Sequence, residues 1–519
     1  MSYLNSVLNP AQSQPIVGKD MVKNNAGGYV FQIDKWSQLK RFLVLGTEGG
    51  TYYVDQQKLS VETAKNTIEC IKEDGLRVLE LIKNTKTIKE DTRIFALALC
   101  ASYGNQTTKE ATYASIKEIC YIPTLLFMFC DFVVKMRGWS AGLRKGVGRY
   151  YTETNSEKLA MHVVKYQNRN NWKHCDVLNL THPKSSDESI NAIFEYIIDH
   201  KISEKTPGII SVVEYINKAK PKVDELVALT QIHNLPREVI PTEYLTEKKI
   251  WEALLPSMPY MALVRNLGNL SKNDVLTSNL SAETKLAYAK IVDLSQIEKN
   301  RINPMFLLNA YYTYASGHSF KGKGTWKPVP CILQALLKAF YSSFQYVEAL
   351  NKNIYIGLDV SASMTSNMAG KNISTAAAAS ALALTFVKKE PFVEVMGFDN
   401  NLRRIPLTEN DDIKTAWDKA YSGSFGSTDC ALPMLDALNR KLDVDLFVVL
   451  TDSETQVGRV HPCIALEHYN KQMNKNAKLV VVGMTATGFS IADPQNKNML
   501  DIVGFSDDMH TVISNFMKE

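Results

Sequence analysis

The sequence predicts two units of different class. One is a long α-helical repeat solenoid over residues 1–350, and the other a doubly wound α/β unit on a parallel sheet over residues 351–519. Three observations predict this. Apolar residues recur every three to four positions from about Val61 to Leu350, with short breaks that carry Pro or Gly. Beyond Asn353, strand-like apolar runs alternate with helical ones. The first of those runs ends on Asp359-Val360-Ser361-Ala362-Ser363, a polar loop at the strand end where such a sheet binds its ligands.

Residues 1–60 form a separate arm. Pro10, Pro15, Gly18, Gly27 and Gly28 interrupt it, and Gly46, Gly49 and Gly50 precede Thr51-Tyr52-Tyr53-Val54, so short strands or a wrapping segment are expected. Helical spacing begins with Ala64, Ile68 and Ile71, and continues through Leu76, Leu79 and Ile82, then Ile94, Leu97, Ala98 and Ala101. It runs on through 116–136, 159–166, 190–198, 226–235, 251–268, 285–293, 304–316 and 331–350. Pro123, Pro183, Pro207, Pro221, Pro236, Pro241, Pro304 and Pro328 punctuate the series. No strict residue repeat is visible. A long series of amphipathic helices with short turns still favours a solenoid over one bundle, because each helix pair buries its face on its neighbours.

In the second unit, strands are expected at 354–360, 393–399, 403–408, 445–452, 478–484 and 499–503. Helices are expected at 374–388, 411–421, from Leu432, at 465–475 and from Asp508. An extended segment points alternate side chains the same way, so Asp359, Ser361 and Ser363 converge on one point. A carboxylate and hydroxyls without sulfur or imidazole suit Mg²⁺. Asp452 falls at another strand end, and Thr428, in Gly426-Ser427-Thr428-Asp429, sits on a loop within reach of both. The same serines also suit helix N-caps, and Asp359 a strand-end turn.

The formal net charge of +5 hides an asymmetry: residues 351–519 carry 16 Lys and Arg against 20 Asp and Glu, whereas residues 1–350 carry 43 against 34. A polyanion partner for the first unit and a cation site in the second follow, with solvated helix faces as the plain alternative. The densest basic texture lies at 135–184. Arg137, Arg144, Lys145, Arg149, Lys165 and Arg169 stand there among Trp139, Tyr150, Tyr151, His162, Tyr166, Trp172, His174 and His182. Cations neutralise phosphates and aromatic faces take unstacked bases, so RNA is the expected polyanion. Arg144, Lys145 and Arg149 belong on one helix, and Lys165 and Arg169, four apart, would share a helical face. Tyr150, Tyr151 and Trp172 suit packing equally well.

These residues carry a resemblance. KYQNRNNWKHCDVLNLTHPK (165–184), RGWSAGLRKGV (137–147), MALVRNLGNL (261–270) and SGHSFKGKGTWKP (316–328) are followed by DVSASM, GSTDCALPM, TDSET, VHPCIAL and GFSIADP. The set resembles, nearly end to end, the 60 kDa Ro autoantigen family: a TROVE module followed by a von Willebrand factor A (vWA) domain with a metal-ion-dependent adhesion site. The resemblance implies a ring of HEAT-like helical repeats closed by the vWA domain. It implies Y RNA on the ring surface, with Lys165, Arg169 and His182 as leading contacts and Arg137, Arg144, Lys145 and Arg149 on the wider basic surface. It also implies that single-stranded 3′ ends of misfolded noncoding RNA enter the hole. Ser361, Ser363 and Thr428 would supply hydroxyls to Mg²⁺, with Asp359 and Asp452 acting directly or through water, and the resemblance implies a docking place for a protein partner at that metal. Ser453 departs from the Asn common at its position, and the loop 201–222 diverges.

Several classes are disfavoured. No uninterrupted apolar run reaches membrane-spanning length, and the first residues lack the basic flank and apolar core of a secretory signal. The eight cysteines form no C-x-x-C, which points to free thiols in a reducing compartment, cytosol or nucleus. No paired catalytic carboxylates and no Ser/His/Asp set suggest an enzyme. A ring closed by one chain needs no second copy, so a monomer is expected.

Overall fold

The chain was analysed as a computed structural model describing residues 10–47, 51, 54–85, 90–300, 302, 304–319, 324–343, 349–366, 373–421, 426–504 and 509–518. Gly49, Gly50, Tyr52 and Tyr53 of the expected extended stretch, Phe320, Lys321, Gly322 and Lys323 of the fourth motif, and the end of the helix expected to reach Leu350 lie outside the described residues.

The arm contains two short strands, β1 (Val22–Lys23) and β2 (Tyr29–Gln32), paired antiparallel. It also contains a helix, Lys35–Leu45, that the expected extended texture hides; Asp34 caps it by accepting from the Trp36 and Ser37 N–H groups. Among the described residues from Gln56 to Ser342 the regular structure is helical except for a small hairpin, β3 (Asn168–Arg169) and β4 (Trp172–Lys173), two 3-10 turns and an isolated bridge between His318 and Thr325. The run expected over 116–136 is two helices, Gln106–Ile119 and Pro123–Met136, with Pro123 opening the second. Helices pack mainly on those one or two places away in sequence, as in a solenoid.

Six strands form the α/β sheet: β5 (Ile354–Asp359), β6 (Val393–Phe398), β7 (Leu402–Arg404), β8 (Leu446–Thr451), β9 (Lys478–Gly483) and β11 (Met499–Val503). Their order is β11-β9-β8-β5-β6-β7. The expectation of an all-parallel sheet needs one correction: β7 is antiparallel to β6, because only a tight turn separates the two strands and no helix intervenes for a crossover. All residues of β5, β8 and β9 are buried, which is why they are continuous apolar runs in sequence. The alanine-rich helix Thr375–Lys389 packs on the sheet with Ala376–Ala379, Ala381 and Ala383 buried.

Both ends of the helical run rest on this sheet unit. The helix Lys35–Leu45 packs against β11, and Arg41 pairs with Asp501 of β11 at 2.5 Å. At the other end, Lys388 lies over the ring of Tyr341 at 5.0 Å. The helical chain therefore leaves the α/β unit and returns to it, closing a ring. A further short strand, β10 (Phe489–Ser490), pairs antiparallel with β2, so the arm is hydrogen-bonded to the far half of the sequence.

Candidate nucleic-acid interface and candidate metal centre

The basic tract folds so that its cations and its aromatics separate. Arg144, Lys145 and Arg149 do share one helix, Ala141–Thr152, capped by Ser140. Arg144 and Lys145 are exposed, and among the described residues no carboxylate lies within 4.0 Å of either. Arg149 approaches Glu153 at 3.9 Å, and Arg137, just past the helix Pro123–Met136, donates from Nη1 to the Ser102 carbonyl at 3.1 Å.

Lys165 and Arg169 are not on one helical face. Lys165 ends the helix Ser156–Lys165, whereas Arg169 lies on β3, where Asn170 and Asn171 take left-handed backbone to turn the hairpin. Lys165 is also largely covered: its Nζ lies 3.7 Å from Glu238 and 5.2 Å over the Tyr166 ring. Arg169, Lys173, His182 and Lys184 are exposed, and His182 caps the helix His174–Thr181 in the left-handed region.

The aromatics go inward. Tyr150 and Tyr151 are fully buried, and their hydroxyls meet His162 Nδ1 at 2.7 Å and His174 Nδ1 at 3.0 Å. Burial pulls both imidazoles down to about 4, so they are neutral packing groups near pH 7. Trp139 and Trp172 are half-buried against each other, ring centres 6.0 Å apart. What this surface offers a polyanion is therefore charge for phosphates, while Tyr150, Tyr151, His162 and His174 present no free face and Trp139 and Trp172 only partly covered ones.

The second cluster sits where β5 and β8, adjacent at the sheet centre, end together with Leu358 opposite Leu450. Asp359 Oδ1 accepts from the Ser361 N–H at 2.9 Å, and the Ser361 and Ser363 hydroxyls lie 3.0 Å apart. Ser363 also hydrogen-bonds Asp452. Asp359, Ser361, Ser363, Thr428 and Asp452 are all buried. The Thr428 loop is tied to the loop after β8, since the Gln456 N–H donates to the Thr428 carbonyl at 3.0 Å. Asp399 holds the same loop from β6, its Oδ2 accepting from the Gly426 N–H at 3.0 Å.

Burial and, next, the facing charge of Asp452 push the Asp359 carboxyl up. Burial and the charge of Glu454 do the same to Asp452, and burial takes Glu454 up to about 7. Among the described residues no three His, Cys, Asp or Glu side chains form a metal-holding group. The donor set here is of another kind, two carboxylates and three hydroxyls. Buried carboxylates that repel one another, with only hard oxygen around them, fit a divalent cation that keeps several waters.

Other residues contribute, some of them without a readable signal. Thr451 donates from Oγ1 to Asp359 Oδ2 at 2.5 Å, and the Tyr421 hydroxyl donates to the Asp359 carbonyl at 2.7 Å. The arm reaches the same loop: Asn25 Nδ2 donates to Glu454 Oε1 at 2.7 Å, and the Ala26 N–H to Glu454 Oε2 at 3.0 Å. Thr451 and Glu454 lie in the TDSET motif and were legible through it, whereas Tyr421, Asn25 and Ala26 carried no signal.

Comparison with known proteins bears on both halves. The TROVE domain family matches residues 22–225 and 233–314, and the Ro60 vWA domain family matches 353–517. The RNA-binding protein RO60 of Deinococcus radiodurans is 37% identical over 98% of each chain. The RNA-binding protein RO60 of Caenorhabditis elegans is 30% identical over 96% of this chain and 90% of its own. The crystal structure of the Deinococcus radiodurans RO (RSR) protein superposes with a TM-score of 0.70 at 37% identity, covering 93% of this chain and 99% of that one. A TROVE module joined to a Ro60-type vWA domain, matched at full length by these relatives, places the chain in the Ro60 family.

Proposed function

We propose that this chain is a non-catalytic RNA-binding ring. Structured small noncoding RNAs, the Y RNAs, bind on the ring surface, and single-stranded 3′ ends of misfolded noncoding RNAs enter an opening that excludes a duplex. The protein would thereby act in RNA quality control and stability, sensing a free tail by shape. One observation carries the reading: Arg144, Lys145, Arg169, Lys173 and His182 stay exposed on neighbouring elements, while Tyr150, Tyr151, His162 and His174 among them are buried. Such a surface grips phosphates and suits folded RNA. Relatives named as RNA-binding proteins and eight free cysteines, which suit the cytosol or nucleus, support it.

Lys145→Ala with Arg169→Ala should weaken binding of a structured small RNA at least tenfold at physiological salt, about 1.4 kcal/mol, and lower the salt slope by about two. Gel shifts across a salt series measure both. Unchanged affinity and slope would remove this surface from the interface. A pair built on Lys165 is a poorer test, because its loss would also strand Glu238.

In the same reading the α/β unit holds Mg²⁺ through Asp359, Ser361, Ser363, Thr428 and Asp452. When bound, the ion would offset the charge repulsion there and present an open position to a partner's carboxylate. The sign of the pH effect follows from the raised carboxyls. Their folded values exceed the unfolded ones, so without cation stability falls as pH rises from about 4 through about 7. Mg²⁺ at a hundred times its Kd at pH 8 should add about 2.7 kcal/mol there, seen as a higher Tm, and the same concentration should add less at pH 6, where protons compete for the carboxylates. Asp452→Asn should raise the cation-free Tm at pH 8 and abolish the Mg²⁺ response. A thermal shift indifferent to Mg²⁺ at both pH values would argue against a resident cation.

A further inference from the structure

Two of the motifs, MALVRNLGNL and the segment ending in Thr325-Trp326-Lys327-Pro328, lie apart from both sites described above. They build a cavity of about 250 Å³ between the helices Tyr260–Lys272 and Pro304–Ala315. Arg265, Asn269, Phe306, Asn309, Ser319 and Trp326 line it.

The aromatic wall is preset. Trp326 donates from Nε1 to the Tyr314 carbonyl at 2.9 Å and stacks on the Tyr314 ring at 6.3 Å with planes 15° apart. Gly268 lets it lie this close, since a Cβ there would stand 2.8 Å from Trp326 Cζ3. Opposite the wall, the exposed Arg265 guanidinium sits 5.6 Å over the Phe306 ring.

Polar capacity inside the cavity is unspent. The Ser319 hydroxyl is shielded from solvent with no hydrogen-bond partner, and Asn309 makes no side-chain hydrogen bond among the described residues. A native structure rarely leaves such groups without a ligand or water to serve. Asn269 spends one amide proton on Asn266 Oδ1 at 3.0 Å and keeps an amide oxygen. Arg265 is exposed, so the cavity it borders is open to solvent at that rim.

We propose that this cavity receives one unpaired nucleobase of a single strand, with the adjoining phosphate on Arg265. The small volume suits a planar heterocycle, and amide and hydroxyl groups read a base edge while the rings take its face. A single guanidinium at the rim matches the single charge of a phosphodiester. The 135–184 tract offers exposed cations on its surface, so the two sites divide the work between phosphates of folded RNA and bases of an open strand. This inference rests on the reading of the chain as a binder of single-stranded 3′ ends.

The test uses the full chain, a 12-nucleotide single strand carrying 4-thiouridine, and a blunt stem-loop as reference. Ala310 lines the cavity, so Ala310→Met fills it, and Arg265→Gln removes the rim charge. Each variant should bind the single strand about tenfold more weakly and the stem-loop as wild type does. Photocrosslinks in wild type should fall on the Phe306 or Trp326 peptide and vanish in Ala310→Met. Arg265→Gln, at an exposed position, keeps the test valid if the filled variant folds poorly. Wild-type affinity in Arg265→Gln, with crosslinks mapping elsewhere, overturns the cavity assignment and leaves the RNA reading standing. Failure of wild type to bind the single strand overturns both.

Discussion

Arg41→Ala is expected to destabilise the junction between the helical run and the sheet unit by about 3–5 kcal/mol, the range for stranding one member of a buried ion pair. Arg41 is 1% exposed and pairs through Nη2 with Asp501 Oδ1, while Nη1 donates to the Thr487 and Phe489 carbonyls at 3.1 and 3.2 Å. Burial already pushes the Asp501 carboxyl up, and the guanidinium is the largest influence holding it down. Without Arg41, a carboxylate and two carbonyls lose their donor in a place water does not reach freely. Since Arg41 stands on the first helix and Asp501 on β11, ring closure at that end weakens too. Urea denaturation measures the loss, and Arg41→Met with Asp501→Leu should recover most of it, because removing both charges leaves none unpaired. If Arg41→Ala alone unfolds at the wild-type midpoint, the pair is not a structural lock.

Much of this architecture is legible from sequence, and the reason is periodicity. Fully buried strands such as β8 and β9 are unbroken apolar runs, and Pro123 and Pro304 mark helix starts by the donor they lack. The metal candidates were legible because alternate residues after a strand end project together, as Asp359, Ser361 and Ser363 do. One expectation failed where local pattern meets long-range context. Lys165 and Arg169 keep helical spacing, yet Asn170 and Asn171 accept positive φ and turn the chain into a hairpin. Of the two roles open to Tyr150 and Tyr151 among the cations, packing is the one taken, since they meet buried histidines and join the core. Contacts between residues hundreds of positions apart leave no local trace. Gln12 Nε2 donates to Asp429 Oδ1 at 2.8 Å, and nothing near either residue announces the other.

That long-range clamp sets the second large effect: Gly28→Ala should detach the arm from the loop that carries Asp452. A Cβ at Gly28 would stand 1.9 Å from the Thr455 carbonyl oxygen, and the obstacle is backbone, which cannot rotate aside. That backbone is itself anchored, since Asn24 Nδ2 donates to the Thr455 carbonyl at 2.7 Å and to the Ser453 carbonyl at 3.2 Å. Around it, Gln12 Nε2 donates to the Val460 carbonyl at 2.7 Å, the Gln12 N–H to the Gly458 carbonyl at 2.9 Å, and Lys19 pairs with Asp493 at 2.7 Å. Relief of the clash must pull these contacts apart together, and it takes the Asn25 and Ala26 donors from both carboxylate oxygens of Glu454. Overpacking plus a buried carboxylate deprived of its donors should cost about 2–4 kcal/mol. The variant should show a lower Tm, faster protease cleavage within residues 10–34, and a smaller Mg²⁺ response, because the loop bearing Asp452 is no longer held from outside. Ser, only slightly larger than Ala, should fare no better, so Gly28→Ser checks that steric contact with Thr455 is the cause. A variant that melts and resists protease as wild type does would mean the arm rides on this loop without holding it.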